Sequence, residues 1–284
     1  MSDAAAEGSG ARGAGASLLR PIAAAGDWAL GIAGLIGGIG LLMLKTATRT
    51  RKLITQQRGK RLAWANLWFQ LYRVGVRSIG VVTLVTFCIG AILALQVGPI
   101  LREYGALDQL AALIGLAMFR ELGPLIGAIV LTGFAGASIA AEIGTMAVGE
   151  ELKALRSHAI EPIRFLVVPR VVATAVMTVC LAVLSDWAGV AGGAFTSYTA
   201  LGIDPGTYFR QTFAIVSTTD LLTGLFKAFV FGAIIGTLSC FLGMAVRGGA
   251  EGVGNATTRT VVLSIVALVC VDLLFTFIFY RVGV

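Results

Sequence analysis

The sequence predicts an all-α polytopic membrane protein, and three observations carry that prediction. Only 13% of the 284 residues are charged and 57% are hydrophobic, whereas a soluble domain carries about 25% charge. Mean hydropathy is +0.89. The apolar residues are gathered into long runs almost free of charge, and a helix needs about 20 such residues to cross a bilayer. The chain has room for five or six crossings and little else.

Taken in order, residues 1–20 are mostly Ala, Gly and Ser and are expected to be a disordered tail. Their "GSGARG" fits a dinucleotide fingerprint, but no strand precedes it and no acidic partner follows. They also lack the basic start and cleavage site of a secretory signal. Trp28 to Leu44 is uncharged but short and glycine-rich, and either spans or lies in the interface as an amphipathic elbow. Leu44 stands before Lys45–Thr46 where a phosphate-binding loop needs Gly, so no ATP site is encoded there. The stretch to residue 77 mixes basic residues with Trp64, Trp68 and Tyr72, the composition of a headgroup layer. Residues 21–77 thus read as an interfacial helix plus a basic membrane-surface segment, and 78–284 as the membrane domain.

Five crossings are expected in that domain: Ser78 to about Leu101, Leu110 to Thr145, Ile163 to Gly193, Leu221 to Val246, and Thr260 to Tyr280. A polar joint, "TSYTALGIDPGTYFRQ", links the third and fourth, with Asp204-Pro205-Gly206 as a turn signal. An odd number of crossings puts the termini on opposite sides. Eleven of the 22 Lys and Arg precede residue 78, which marks the N-terminal side as cytoplasmic. The joints at 146–162 and 247–259 then fall inside and the C-terminus outside. This distribution also argues against nucleic acid as the partner of the net +7 charge.

The second span, "RELGPLIGAIVLTGFAGASIAAEIGT", holds the densest information. Gly123 and Gly127 are four apart, as are Gly136, Ala140 and Gly144, a spacing that lets helix backbones approach closely. Packing within the chain and a dimer seam both fit it. Adjacent Arg120 and Glu121 diverge by about 100° on an α-helix, so they cannot simply neutralise one another. At least one of them faces either the outer-leaflet headgroups or a water-filled cavity. Glu142, Asp186, Lys227 and Asp272 are further intramembrane charges of open role, each costing a few kcal/mol unless partnered or facing water. Lys227 has Glu121, Asp186 and Asp272 as candidate partners.

After this span, "MAVGEELKALRSHAIEP" reads as a short amphipathic helix over about 147–158, with Val148, Leu152 and Leu155 on one face. Docking on a cytoplasmic partner and resting on the lipid surface suit the pattern equally. The single histidine, His158, lies in this polar stretch without clustered ligands. Cys88, Cys180, Cys240 and Cys270 each stand alone in apolar runs and read as small hydrophobes. No metal site, cofactor site or nucleophile motif is evident, which argues against an enzyme.

"FRELGPLIGAIVLTGFAGASIAAEIGTMAVGEELKAL" resembles the signature of the MlaE/YrbE permeases, the membrane subunits of lipid-transporting ABC systems linked to MCE proteins. "QLYRVGVRSI", "ALQVGP", "EPIRFLVVPRVVA" and "NATTRTVV" extend the likeness over most of the chain from about residue 66. The resemblance implies the MlaE-type fold: an interfacial elbow helix, here Trp28 to Leu44, and five transmembrane helices. It implies a homodimer in a bacterial inner membrane, with the N-terminus cytoplasmic and the C-terminus periplasmic. Separate ABC ATPase subunits would dock on a coupling helix at 147–158 through Glu150, Glu151 and Leu155. A ring of MCE-domain proteins would sit outside, and a small STAS-domain protein could join the ATPase. Phospholipid would be the cargo, in a cavity lined by Leu95, Gln96, Ile100, Arg120 and Glu121. Phe134 departs from the Arg common at that place in the family. An autonomous secondary carrier or channel using the intramembrane charges, and a non-transporting envelope scaffold, are the alternatives. Five crossings do not divide into inverted repeats, which weighs against a carrier.

Overall fold

The computed structural model describes residues 34, 37–49 and 60–283, with side chains from 65 in the latter range. Residues 1–44 and 45–284 form separate units. Residues 37–49 are helical and are termed α1; the start of the expected elbow and the 1–20 tail lie outside the described residues. The rest is helical throughout: α2 Lys60–Glu103, α3 Leu110–Ala117, α4 Gly123–Leu131, α5 Ala137–Val148, α6 Glu151–Ser157, α7 Val168–Thr196, α8 Pro205–Ile215, α9 Thr218–Met244 and α10 Gly249–Val282. No strand occurs among the described residues.

These helices build five stretches long and apolar enough to cross a membrane: Ala65–Glu103, Leu107–Val148, Ile163–Leu201, Thr218–Met244 and Gly249–Val282. Each starts or ends beyond the range expected from composition. The first differs most, because α2 is one unbroken helix of 44 residues, about 66 Å long. Twice the length needed for the hydrocarbon, it carries Arg73 and Arg77 through the headgroup layer rather than starting after them. The joint expected at 247–259 is largely the first turns of α10. The joint after α7 is also ordered: Asp204 accepts a hydrogen bond from the Thr207 amide at 3.0 Å and caps α8. The signal at Asp204-Pro205 was a helix start, with Pro at the first helical position, rather than a plain turn.

The second span is jointed. Single π-helical turns at Met118–Leu122 and Thr132–Gly136 separate α3, α4 and α5. Similar turns open and close the third span at Ile163–Val167 and Ser197–Leu201. Periodicity cannot reveal such turns, since each inserts one residue without breaking the apolar run.

α7 is as enclosed as α9, each with 67% of its most apolar stretch buried against 17% for α10. It packs on α2 at backbone distance. A Cβ on Gly90 would stand 1.8 Å from the Gly189 carbonyl oxygen, so no side chain fits there. The expected small-residue stripe also turns inward. Gly127 faces Ser185 of α7, Gly136 faces Ser239 of α9, and Gly144 faces Val246 and Val253. The stripe packs within the chain, as close helix approach in a bilayer requires.

With little water available, several buried hydroxyls bond to their own helices. Thr174 donates to Arg170 O, Thr178 to Thr174 O at 2.7 Å and Ser239 to Ile235 O at 2.6 Å. This satisfies the hydroxyl without a cross-helix partner. Of the cysteines, Cys240 is buried and all four are free thiols.

Candidate functional site: charged ties among the spanning helices

The π turn at Met118–Leu122 resolves the Arg120–Glu121 question by sending the two side chains to different helices. Arg120 Nε donates to Asp220 Oδ1 at 2.5 Å. Asp220 is buried and is held by the α9 capping box, in which the Ser217 amide and hydroxyl both donate to its Oδ2 at 2.8 Å. One carboxylate thus closes the helix start and fixes Arg120.

Glu121 turns the other way. Its Oε2 accepts from Lys227 Nζ at 2.6 Å, and the same ammonium donates to Asp272 Oδ1 at 3.0 Å and Thr276 Oγ1 at 3.1 Å. An ammonium has three protons to donate, and here three acceptors take them. Thr276 Oγ1 also lies 2.9 Å from Glu121 Oε1, closing the ring. Lys227 is 1% exposed. The cluster joins the π turn to α9 and α10 in the interior of the span.

Of the three acids that the sequence offered to Lys227, the structure therefore selects Glu121 and Asp272 and excludes Asp186. Asp186 is buried on α7 and its Oδ1 has no hydrogen-bond partner. It packs against the π-turn exit instead, where a Cβ on Gly123 would stand 1.8 Å from Oδ1.

The remaining intramembrane acid, Glu142 on α5, is held by two guanidinium groups. Arg73 NH1 of α2 lies 2.5 Å away and Arg170 NH2 of α7 lies 2.8 Å away. Arg73 also donates to Ser138 at 3.0 Å. Sequence reasoning missed this tie because Arg73 read as part of a surface segment. Helical phase was the available signal, since Arg73 and Arg77 share a face of the long α2.

Glu142 is two turns from α6, the observed form of the expected 147–158 helix. α6 is shorter, Glu151–Ser157, and is set off from α5 by Gly149 and by Glu150 in the left-handed region at φ 60°. Glu150 and Glu151 are exposed, while Leu152 and Leu155 are half-buried. Lys153 donates to Glu150 at 2.6 Å and holds its carboxyl below the ordinary range. The helix thus puts its apolar side toward the chain and its acidic start outward. His158 is exposed at its end.

The residues expected to line a cavity are less gathered. Leu95 and Ile100 stand on the outer face of α2, 53% and 55% exposed, with Gln96 exposed beside them. Gln96 makes no hydrogen bond to Arg120 or Glu121 among the described residues. Arg120 keeps 46% of its side chain exposed, whereas Glu121 is committed to Lys227.

Five helical stretches long and apolar enough to cross a membrane, tied together by buried charge and with an exposed short helix between the second and third, define a polytopic α-helical membrane protein. Comparison with known proteins gives the particular kind. The family model described as Permease MlaE matches residues 67–278. A probable ABC transporter permease protein of Rickettsia prowazekii (strain Madrid E) is 39% identical over 213 residues, covering 75% of this chain and 82% of the relative. One from Synechocystis sp. is 37% identical over 199 residues, covering 70% and 76%. Protein TRIGALACTOSYLDIACYLGLYCEROL 1, chloroplastic, of Arabidopsis thaliana is 33% identical over 221 residues, covering 78% of this chain and 63% of the relative. The chain belongs to the MlaE permease family and is a multi-pass ABC transporter permease subunit.

Proposed function

We propose that this permease moves phospholipid across or out of a bacterial inner membrane as a homodimer, driven by separate cytoplasmic ATPase subunits. The single observation that carries the mechanical part is the position of α6. It stands exposed between α5 and α7, two turns from Glu142, and Glu142 is ionically tied to α2 and α7. A partner that grips Glu150 and Glu151 and the uncovered edge of Leu155 would therefore act on three crossings at once. In this reading α6 and the N-terminus are cytoplasmic and Val284 is periplasmic, which agrees with the early concentration of Lys and Arg.

The lipid part has two supports. One Arabidopsis relative carries a galactolipid in its name. Leu95, Ile100 and Arg120 offer an apolar wall and an exposed cation for a lipid's two halves, with Glu121 anchoring the turn that presents Arg120. An MCE-domain ring outside the membrane would pass the lipid on, and a STAS-domain protein could attend the ATPase. The ion pairs of Glu142, Lys227 and Asp272 serve as ties between helices, which favours a driven permease over an autonomous carrier. The test is reconstitution in vesicles with fluorescent phospholipid. ATP-dependent lipid movement that needs an added ATPase supports the reading, and movement by the purified subunit alone defeats it.

A further inference from the structure

Between α2 and the Thr132–Gly136 turn there is a small cavity that the transport cycle above does not use. Its polar wall is Gln70, Arg73, Arg77 and Ser138, and its apolar wall includes Phe134 and Ile139. It has cationic residues in its lining and no carboxylate. Arg73 pairs with Glu142, which Arg170 also holds, and Arg77 lines the cavity beside Arg73. Arg77 has no ion pair among the described residues. A guanidinium at headgroup depth lies within reach of anionic lipid, and a charge-assisted bond to phosphate is stronger than a neutral one.

Two further observations identify the anion. Trp68 and Tyr72, on the same turns of α2, are 65% and 62% exposed, the aromatic belt that marks headgroup depth. Gln70 is 2% exposed, yet its Oε1 has no hydrogen-bond partner. A buried acceptor beside surplus guanidinium calls for a ligand with both an anionic group and a hydroxyl.

We propose that this pocket holds the phosphate of an anionic, hydroxyl-bearing glycerophospholipid headgroup at the membrane surface on the α6 side, distinct from the cargo cavity. Arg77 and Arg73 take the phosphate, the Gln70 Oε1 accepts from the headgroup hydroxyl, and Phe134 and Ile139 meet the glycerol and first acyl carbons. The proposal rests on the chain's residence in a bilayer and not on lipid being its cargo.

The experiment uses the full-length chain, delipidated in detergent, with adducts counted by native mass spectrometry. The probes are dioleoyl phosphatidylglycerol, dioleoyl phosphatidylcholine and inorganic phosphate. Phosphatidylglycerol should bind more tightly than phosphatidylcholine, and Arg77→Gln should weaken it about fivefold, the worth of one basic residue at an anionic surface. Gln70→Leu should lower the preference for phosphatidylglycerol over dioleoyl phosphatidylmethanol, an anionic diester with no headgroup hydroxyl. The Arg77-dependent adduct should survive Glu121→Ala, a change directed at the cargo cavity, so failure of the transport reading leaves this site intact. Undiminished phosphatidylglycerol binding by Arg77→Gln overturns the proposal. So does inorganic phosphate binding as strongly and with the same Arg77 dependence, which makes the site one for a soluble anion.

Discussion

Lys227 Nζ lies 2.6 Å from Glu121 Oε2 although 106 positions separate the two residues in sequence. The contact joins the middle of the second span to the fourth, and Asp272 brings in the fifth. In a bilayer, cross-helix hydrogen bonds average only about 0.6 kcal/mol, because unfolded helices also find partners. The ammonium matters more than the bonds it makes: removing it leaves Glu121 and Asp272 beside one another without their shared cation.

Lys227→Met is therefore expected to cost about 3 kcal/mol, the low end for a broken buried ion pair, since Glu121 keeps a third of its side chain exposed. Thermal unfolding in detergent measures it. Lys227→Met combined with Asp272→Leu and Glu121→Gln should recover much of the loss, because no charge is then left stranded. Equal stability of Lys227→Met and wild type would show that the three groups do not act as an ionic unit.

Gly123→Ala tests the backbone approach beside Asp186. The added methyl would lie 1.8 Å from Asp186 Oδ1, an overlap that must be relieved by movement, at about 1–3 kcal/mol. Adding Asp186→Ala should restore part of the stability, since it removes the obstructing atom. A tolerated Gly123→Ala in a thermal-shift assay would mean that α4 and α7 have room to part.

Glu121→Ala should reduce the lipid that copurifies with the subunit, by loosening the turn that presents Arg120. Glu121→Gln keeps an acceptor for Lys227 and should fall between. Thin-layer chromatography of extracted lipid gives the comparison, and wild-type levels in Glu121→Ala would remove this residue from the cargo site.

Glu151→Lys should leave the subunit inserted and folded while weakening its hold on the ATPase. Its side chain is exposed at the start of α6, so reversing its charge disturbs no packing. Pull-down of the ATPase reads the effect. Undiminished capture would move the docking surface away from α6.

The number of crossings was legible because each apolar run contains the roughly 20 residues that a bilayer demands. Helix ends were less so, because a spanning helix continues through the headgroup layer wherever charged residues can snorkel, and α2 does this for several turns before Ser78. The resemblance to MlaE permeases stands, carried by long motifs centred on the second span. The pairings were only half legible. The sequence announced that Lys227 needed acids and that Arg120 and Glu121 must part, but choosing among partners depends on helix rotation. The π turn at Met118–Leu122 sets that rotation and leaves no trace in the hydropathy. Asp186 shows the reverse case, a buried acid whose neighbour is a glycine rather than a cation.

The unbroken α2 runs beside a second span that is jointed twice, so the two respond differently to the same push. A stiff rod carries displacement from one membrane face to the other undiminished, while a segmented strut takes it up at its joints. Pulled at α6, the second span would shear along α2, past the place where Gly127 of α4 comes close to Val82 of α2.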